Sequence, residues 1–472
     1  MAISAARKIA FDVLRRVAAE NAYAADLLYA QLAGGVKRAD ASLATELTLG
    51  VLRRQRLLDF LLERHLERRS EQLDTEVLLA LRLGLYQLRY LDRVPQHAAI
   101  NESVEMVKRA RKSSAAGMVN AVLRRGAAQA RVGEEELDRL IFERLAGGAS
   151  NEERLGAERL GIVHSHPTWL VERWLRRFGK ERTRALLEAN NRPAPLTCAV
   201  LEEEASENVA ESLRRSGLEV SAGRWLRGAL HISGGDAAAS EAYRAGEINF
   251  QDEASQMVAH LVDARASHSV LDLCAAPGGK TILLARAAGE GGRVVAADLR
   301  EHRLRAMREQ LTRTRVTNVR LLEMDATQPW PFSQPFDRIL IDAPCSGTGT
   351  LARNPEIRWR LKPEDLENAH RSQTTMLRNA LSAAASFRSG ATRVVYSTCS
   401  LEPEENEQVV EEALSETRDW QVTSGKAALR PHLRRAEAAE ELVELFGAEG
   451  FFRTFPPEQG TDGFFAAVME RR

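Results

Sequence analysis

Apolar and polar positions follow one period at the start of the chain and another in its C-terminal half. From residue 5 to about 126, apolar side chains recur at helical spacing, as in Ile9, Val13 and Val17 or Leu81, Leu85 and Leu88, while β-branched runs are scarce. That 3.6-residue period predicts a helical bundle. A Gly/Ala-rich, mixed-charge stretch from Gly126 to Asn151 reads as a linker with helical pieces. His166-Pro167-Thr168-Trp169 opens a further helix, because Pro167 is preorganised for a first turn and Leu170, Val171 and Trp174 share one face. His164 and His166 are expected to belong to that turn, not to a metal site. Strand-like pieces (196–200 and 229–232) then alternate with a helix-like segment (208–216), giving a small α+β subdomain that ends near Phe250. From Gln251 onward the pattern becomes strand, loop, helix in repetition, the mark of a parallel sheet covered on both faces. The expected division is 1–130 helical, 131–165 linker, 166–250 helical plus α+β, and 251–472 α/β.

The ends of these predicted strands carry the polar chemistry. The first, Ser269 to Leu273, runs into Cys274-Ala275-Ala276-Pro277-Gly278-Gly279-Lys280-Thr281, a glycine-bearing turn before a helix that would present backbone N–H groups to a nucleotide-like ligand. It is neither a complete GxGxxG nor a Walker A. The next strand ends in Asp298, 20 residues after Gly278, a place that suits ribose hydroxyls. Two more strands lead to Asp325 and Asp342. Asp272, Asp298, Asp325 and Asp342 are therefore expected to ring one nucleoside-sized pocket. With no phosphate-gripping loop, S-adenosylmethionine is favoured over ATP, and NAD is disfavoured though still an alternative.

After Asp342 comes Ala343-Pro344-Cys345-Ser346-Gly347-Thr348-Gly349, and a later strand-like run, 392–396, leads to Ser397-Thr398-Cys399-Ser400. Two strand-end thiols beside one strand-end acid suit a particular reaction. Methylating a pyrimidine carbon requires the ring to be made nucleophilic first, which a thiolate does by adding at C6. Cys274 and Cys198 are read as small buried hydrophobes in this respect.

Composition narrows the class. The chain has 472 residues, room for two to four domains at roughly 100–200 residues each. It is 44% hydrophobic and 28% charged, and no apolar run approaches the ~20 residues of a membrane span. The N-terminus leads into an amphipathic helix instead of a secretory segment, so a cytoplasmic location is expected. Four cysteines without a CxxC pair argue against structural zinc. Net charge is zero, but residues 1–130 hold 21 Lys+Arg against 14 Asp+Glu, a local +7 that permits a polyanionic partner. Arg53, Arg54, Arg56, Arg68, Arg69, Arg124 and Arg125 supply much of it; solvated helix faces are the ordinary account, RNA contact by some of them the alternative.

The segments 272–281, 342–347 and 397–400 together resemble the RNA (cytosine-5) methyltransferase family, in the family's order. Gln251-Asp252-Glu253-Ala254-Ser255, Arg353-Asn354-Pro355-Glu356-Ile357-Arg358-Trp359 and Asp462-Gly463-Phe464-Phe465 extend the resemblance over about 160–472. The stretches 94–104 and 119–124 are similar to the antitermination-factor-like RNA-binding domain, a fusion found in the family's Fmu/Sun-type branch, which acts on bacterial small-subunit (16S) ribosomal RNA. The acidic run 436–449 departs from the family pattern.

The resemblance implies a multidomain protein: an all-α bundle, a small α+β subdomain and a Rossmann-like class I methyltransferase domain with a mostly parallel sheet. It implies methyl transfer from S-adenosylmethionine to C5 of a cytosine, with Cys399 as nucleophile, Cys345 releasing the product, Asp342 bonding the cytosine edge near N3, and Lys280 pointing into the active site. The loop Cys274, Ala275, Ala276, Pro277, Gly278, Gly279, Lys280 would wrap the methionine part of the cofactor, Asp298 would hold the ribose and Asp325 the adenine amine. Arg353 and Trp359 could contact the flipped-out RNA, the alternative for Trp359 being a packed tryptophan after a Pro-initiated turn. Ribosomal RNA is the expected partner, with no metal, no membrane association and a monomeric state. Two other readings remain at this point: the same chemistry on transfer RNA, or an inactive RNA-binding assembly factor.

Overall fold

The computed structural model describes residues 3–32, 35–67, 69–129, 131–145, 152–386, 392–417, 419–434 and 442–472. Arg68, parts of the expected linker and residues 436–441 of the acidic run lie outside the described residues. The chain clusters into two compact units, one of residues up to Pro193 together with Leu351–Leu361, the other of Ala194–Thr350 together with Lys362–Arg472.

The first unit is helical. Its helices include Ala5–Glu20, Arg38–Glu63, Thr75–Tyr90, Gln96–Arg109, Ala116–Gln129, Glu152–Val163 and Thr168–Ala189, and its core is drawn from Val13, Leu14, Leu47, Leu58, Leu81, Val107 and Leu123. The apolar period predicted this packing. Two details differ from expectation. The helix Thr168–Ala189 groups with these helices and not with the α+β subdomain, because Leu170, Val171 and Trp174 are buried and it packs on the preceding helix, Glu152–Val163. Arg53 is not on a solvated face: it is 6% exposed and donates to the Ala352 carbonyl at 2.8 Å. Arg56 is half-buried, held by the His166 carbonyl and Glu158. Arg69, Arg124 and Arg125 are exposed.

The second unit contains two sheets. Strands β1 (Leu196–Val200), β2 (Glu219–Ala222), β3 (Ala229–Ser233) and β4 (Ile248–Phe250) form an antiparallel sheet in the order β2-β3-β1-β4, covered by the helix Ser206–Arg215 through Val209, Ala210 and Leu213. The larger sheet takes β5 (Ser269–Leu273), β6 (Arg293–Asp298), β7 (Val319–Glu323), β8 (Arg338–Asp342), β9 (Arg393–Thr398), β10 (Trp420–Thr423), β11 (Phe452–Arg453) and β12 (Phe465–Arg471). Its order is β10-β12-β9-β8-β5-β6-β7, with β11 on β12. Strands β5 to β9 pair in parallel, and β12 enters antiparallel to β9. Strand order reverses at β5, which lies between β6 and β8, and the crevice beyond the carboxyl ends of strands at such a reversal is where open α/β sheets bind ligands. Leu442, Leu445 and Phe446, from the described part of the acidic run, pack into the core on one face of this sheet.

Candidate active site

The two thiols meet because two neighbouring strands end together. β8 and β9 are parallel with Asp342 opposite Ser397, and the Ser397 hydroxyl donates to Asp342 Oδ1 at 2.9 Å. Counting on from that shared register, Cys345 and Cys399 reach the same edge, where their Sγ atoms lie 3.4 Å apart in a hydrogen bond. Both are free and half-buried. The Cys345 thiol is pushed well above its ordinary value by that hydrogen bond and by burial. Lys280 arrives from the first turn of the helix Gly279–Ala288 and donates to Asp342 Oδ2 at 2.7 Å, its ammonium 5.0 Å from the centre of the Phe464 ring. Cys345, Cys399, Asp342 and Lys280, expected together, are together.

The turn after β5 has the backbone that its sequence requires. Cys274 (φ 60°) and Gly278 (φ 105°) are left-handed, and the Ala276-Pro277 bond is cis. A Cβ on Gly278 would lie 2.9 Å from Met307 Cγ, so glycine serves both the turn and the packing behind it. Asp298, 2% exposed at the end of β6, accepts from the Ala276 N–H at 3.2 Å, the Arg300 N–H at 3.1 Å and Arg303 Nη1 at 3.1 Å. Leu299 beside it is 53% exposed. A helix N-terminus, a strand-end carboxylate and an adjacent exposed apolar side chain offer one partner each to the charged, ribose and ring parts of a nucleoside ligand. These residues fit S-adenosylmethionine.

The expected ring of four acids is corrected in one member. Asp272 is not a loop acid: it lies inside β5, 1% exposed, where Thr281 Oγ1 donates to it. Burial pushes its carboxyl up to about 7, against the Thr281 hydrogen bond, and the nearby charge of Asp342 adds to the rise. Asp325 stands half-buried in the loop after β7, its carboxylate accepting from Thr327 N at 2.9 Å and Thr327 Oγ1 at 2.6 Å. Cys198 and Cys274 are held as thiols by burial, Cys198 pushed up to about 12. Arg353 and Trp359 fall in Leu351–Leu361, within the helical unit; the half-buried Trp359 donates its ring N–H to the Leu52 carbonyl at 2.8 Å.

Sequence reasoning passed over Ser397, Arg303, Leu299 and Glu405. Ser397 lies beside the Cys399 motif and Leu299 directly follows Asp298, and that adjacency was the available signal; Arg303 meets Asp298 only in the fold. Glu405 is fully buried and bonded to both thiol-bearing loops.

Three family models match in chain order. The NusB family covers residues 4–128, the ferredoxin-like domain of RsmF/B-like methyltransferases 166–237, and 16S rRNA methyltransferase RsmB/F 259–470. A probable ribosomal RNA small subunit methyltransferase B of Bacillus subtilis is 30% identical over 99% of this chain and 98% of its own. A protein of the same description from Synechocystis is 33% identical over 90% and 96%. The solved structure of a methyltransferase homologue from Pyrococcus horikoshii superposes with a TM-score of 0.55 at 26% identity, over 67% of this chain and 99% of that one. The strand order, the glycine turn with Asp298 and these end-to-end matches lead to one conclusion: the chain belongs to the 16S rRNA methyltransferase RsmB/F family, whose cofactor is S-adenosylmethionine.

Proposed function

We propose that this protein methylates C5 of a cytosine in small-subunit ribosomal RNA through a covalent adduct between Cys399 and C6 of the base. The observation that carries the reading is the pair of thiols 3.4 Å apart beside the Lys280–Asp342 ion pair. Its relatives in Bacillus subtilis and Synechocystis, described as probable ribosomal RNA small subunit methyltransferases, support the substrate class, and the family's NusB-type region supports an RNA partner. Bound S-adenosylmethionine supplies an electrophilic methyl group. The remainder is done by side chains. Cys399, as thiolate, adds its electron pair to C6; the C5–C6 π electrons are thereby released to C5, which becomes the nucleophile toward methyl. In this reading Asp342, held by Lys280 and Ser397, hydrogen-bonds the pyrimidine edge near N3, and the proton it shares with Lys280 offsets the negative charge that builds there. Once C5 carries both methyl and hydrogen, a base takes the proton, the C5–C6 double bond re-forms and the sulfur leaves. Cys345, its sulfur 3.4 Å from that of Cys399, is the group we assign to that release.

The loop 274–280 and Asp298 hold the cofactor in this reading, and Asp325 reaches its adenine amine. Trp359, its ring N–H committed to Leu52, we assign to packing; Arg353 stays the candidate RNA contact. No described helix is long and apolar enough to cross a membrane.

Wild type, Cys399→Ala and Cys345→Ala proteins are to be incubated with unmodified 16S ribosomal RNA, with transfer RNA and with methyl-labelled S-adenosylmethionine. Wild type should label C5 of cytosine in the ribosomal RNA only, Cys399→Ala should neither label nor cross-link, and Cys345→Ala should accumulate a denaturation-resistant protein–RNA adduct. Label on transfer RNA alone would move the substrate. Labelling by Cys399→Ala would remove Cys399 as the nucleophile.

A further inference from the structure

Behind the two thiols lies a buried carboxyl group that the chemistry above does not use. Glu405 is 0% exposed, at the end of the short turn Pro403–Glu405 that follows Cys399. Its Oε1 accepts the Ser346 backbone N–H at 2.7 Å and the Gln373 side-chain amide at 3.3 Å. Its Oε2 accepts the hydroxyls of Ser346 and Ser400, which lie 3.0 Å from each other. Ser346 directly follows Cys345 and Ser400 directly follows Cys399. One carboxyl group therefore grips the neighbour of each thiol. Gln373 completes the clasp by donating also to the Pro344 carbonyl at 2.8 Å. From the other side, Tyr396 donates to the Glu405 carbonyl at 2.6 Å and Asn406 donates to the Ser400 carbonyl at 2.9 Å.

We propose that Glu405 is a positioning residue that sets the separation of the Cys345 and Cys399 sulfurs, an inference that rests on the covalent reading above. The need for such a group follows from the sheet. The β8–β9 ladder ends at Asp342 and Ser397, so beyond it both cysteines sit on loops that the strands no longer hold in register. Both sulfurs must address one C5–C6 bond in turn, and a misplacement of about 1 Å costs on the order of 10²-fold in rate. Burial raises the Glu405 carboxyl while its serine partners lower it. A glutamine of the same shape keeps the clasp: its carbonyl still accepts from Ser346 N–H and Gln373, and its amide donates to hydroxyls that rotate to accept. An alanine abandons all four bonds.

The test uses the full-length protein as wild type, Glu405→Ala and Glu405→Gln, reading melting temperature, S-adenosylmethionine affinity, kcat and KM for 16S ribosomal RNA, and the amount of denaturation-resistant adduct. Glu405→Ala should lose about 10²-fold in kcat with cofactor affinity and KM unchanged and with an altered adduct-to-product ratio, and Glu405→Gln should recover most of the rate. Should Glu405→Ala fail to fold, the Ser346→Ala/Ser400→Ala double variant, which removes only the hydroxyl grips, should show the same kcat-specific loss. A wild-type kcat in Glu405→Ala, or a loss shared equally by cofactor affinity and not recovered by glutamine, overturns the proposal. A wild type that forms no adduct removes the covalent reading itself, which is a different result from an adduct-forming wild type with an indifferent Glu405.

Discussion

His166 shows how one residue can make the fold acid-sensitive. It is 0% exposed, its Nδ1 lies 2.7 Å from the His164 carbonyl and its Nε2 3.3 Å from the Asn190 amide, so the ring is neutral with its proton on Nδ1. Burial holds its pKa well below the ordinary value, and the charge of Arg358 pushes the same way; His164 is lowered to about 4, also by burial. The unfolded imidazoles take up protons near pH 6.5 while the folded ones resist, so protonation favours the unfolded chain. Stability should be full above about pH 6.5 and fall as pH drops below it. In His166→Gln the melting temperature should start lower at pH 8 and fall less steeply between pH 7 and 5; parallel curves for the two proteins would refute the assignment. At this scale the thiols and Asp342 were legible in the sequence, since each adjoins a strand-like run. Glu405 was not, because its partners Ser346 and Gln373 are 59 and 32 residues away and nothing local marks it as buried.

Among elements, what sequence period can reveal is the existence of a strand or helix, and what it cannot reveal is which neighbour receives it. The five parallel strands and the loops at their carboxyl ends follow from apolar runs and glycine turns, and so does the region proposed to hold the cofactor. The burial of Arg53 depends on a partner distant in the chain, the Ala352 carbonyl 299 residues away. Gly349 is a further case. Its N–H donates to the Cys399 carbonyl at 2.9 Å, its carbonyl accepts from Gly463 N–H at 2.8 Å, and a Cβ there would lie 2.0 Å from the Gly463 carbonyl oxygen. Backbone cannot give way as a flexible side chain does. Gly349→Ala should cost about 1–3 kcal/mol and depress methyl transfer beyond that loss, measured by denaturant unfolding beside single-turnover labelling; an alanine variant with wild-type stability and rate would show that these loops yield freely.

On the scale of the whole molecule, the helical unit is finished by a segment from far along the chain. Arg358, 0% exposed, donates to the carbonyls of Ser165, Asn190 and Leu351 and to the Asn191 side chain, all at 3.0–3.2 Å. Glu356 accepts the Ala24 N–H at 2.9 Å, and Trp359 is held by Leu52. Arg358→Ala strands several buried acceptors, each worth about 1–3 kcal/mol, and should lower the denaturation midpoint of the helical unit; an unchanged midpoint would argue that water fills the site at no cost. A fragment of residues 1–193 should likewise be less stable alone than with an added peptide of residues 349–363, read as a rise in melting temperature that a peptide carrying Arg358→Ala fails to produce. The arrangement also bears on the order of synthesis. The ribosome completes residue 193 with 168 residues still to make before Leu361, a wait of roughly 8–34 s at about 5–20 residues per second. The first unit to emerge in translation therefore lacks Arg358 and the buried hydrogen bonds it donates until most of the second unit has been made.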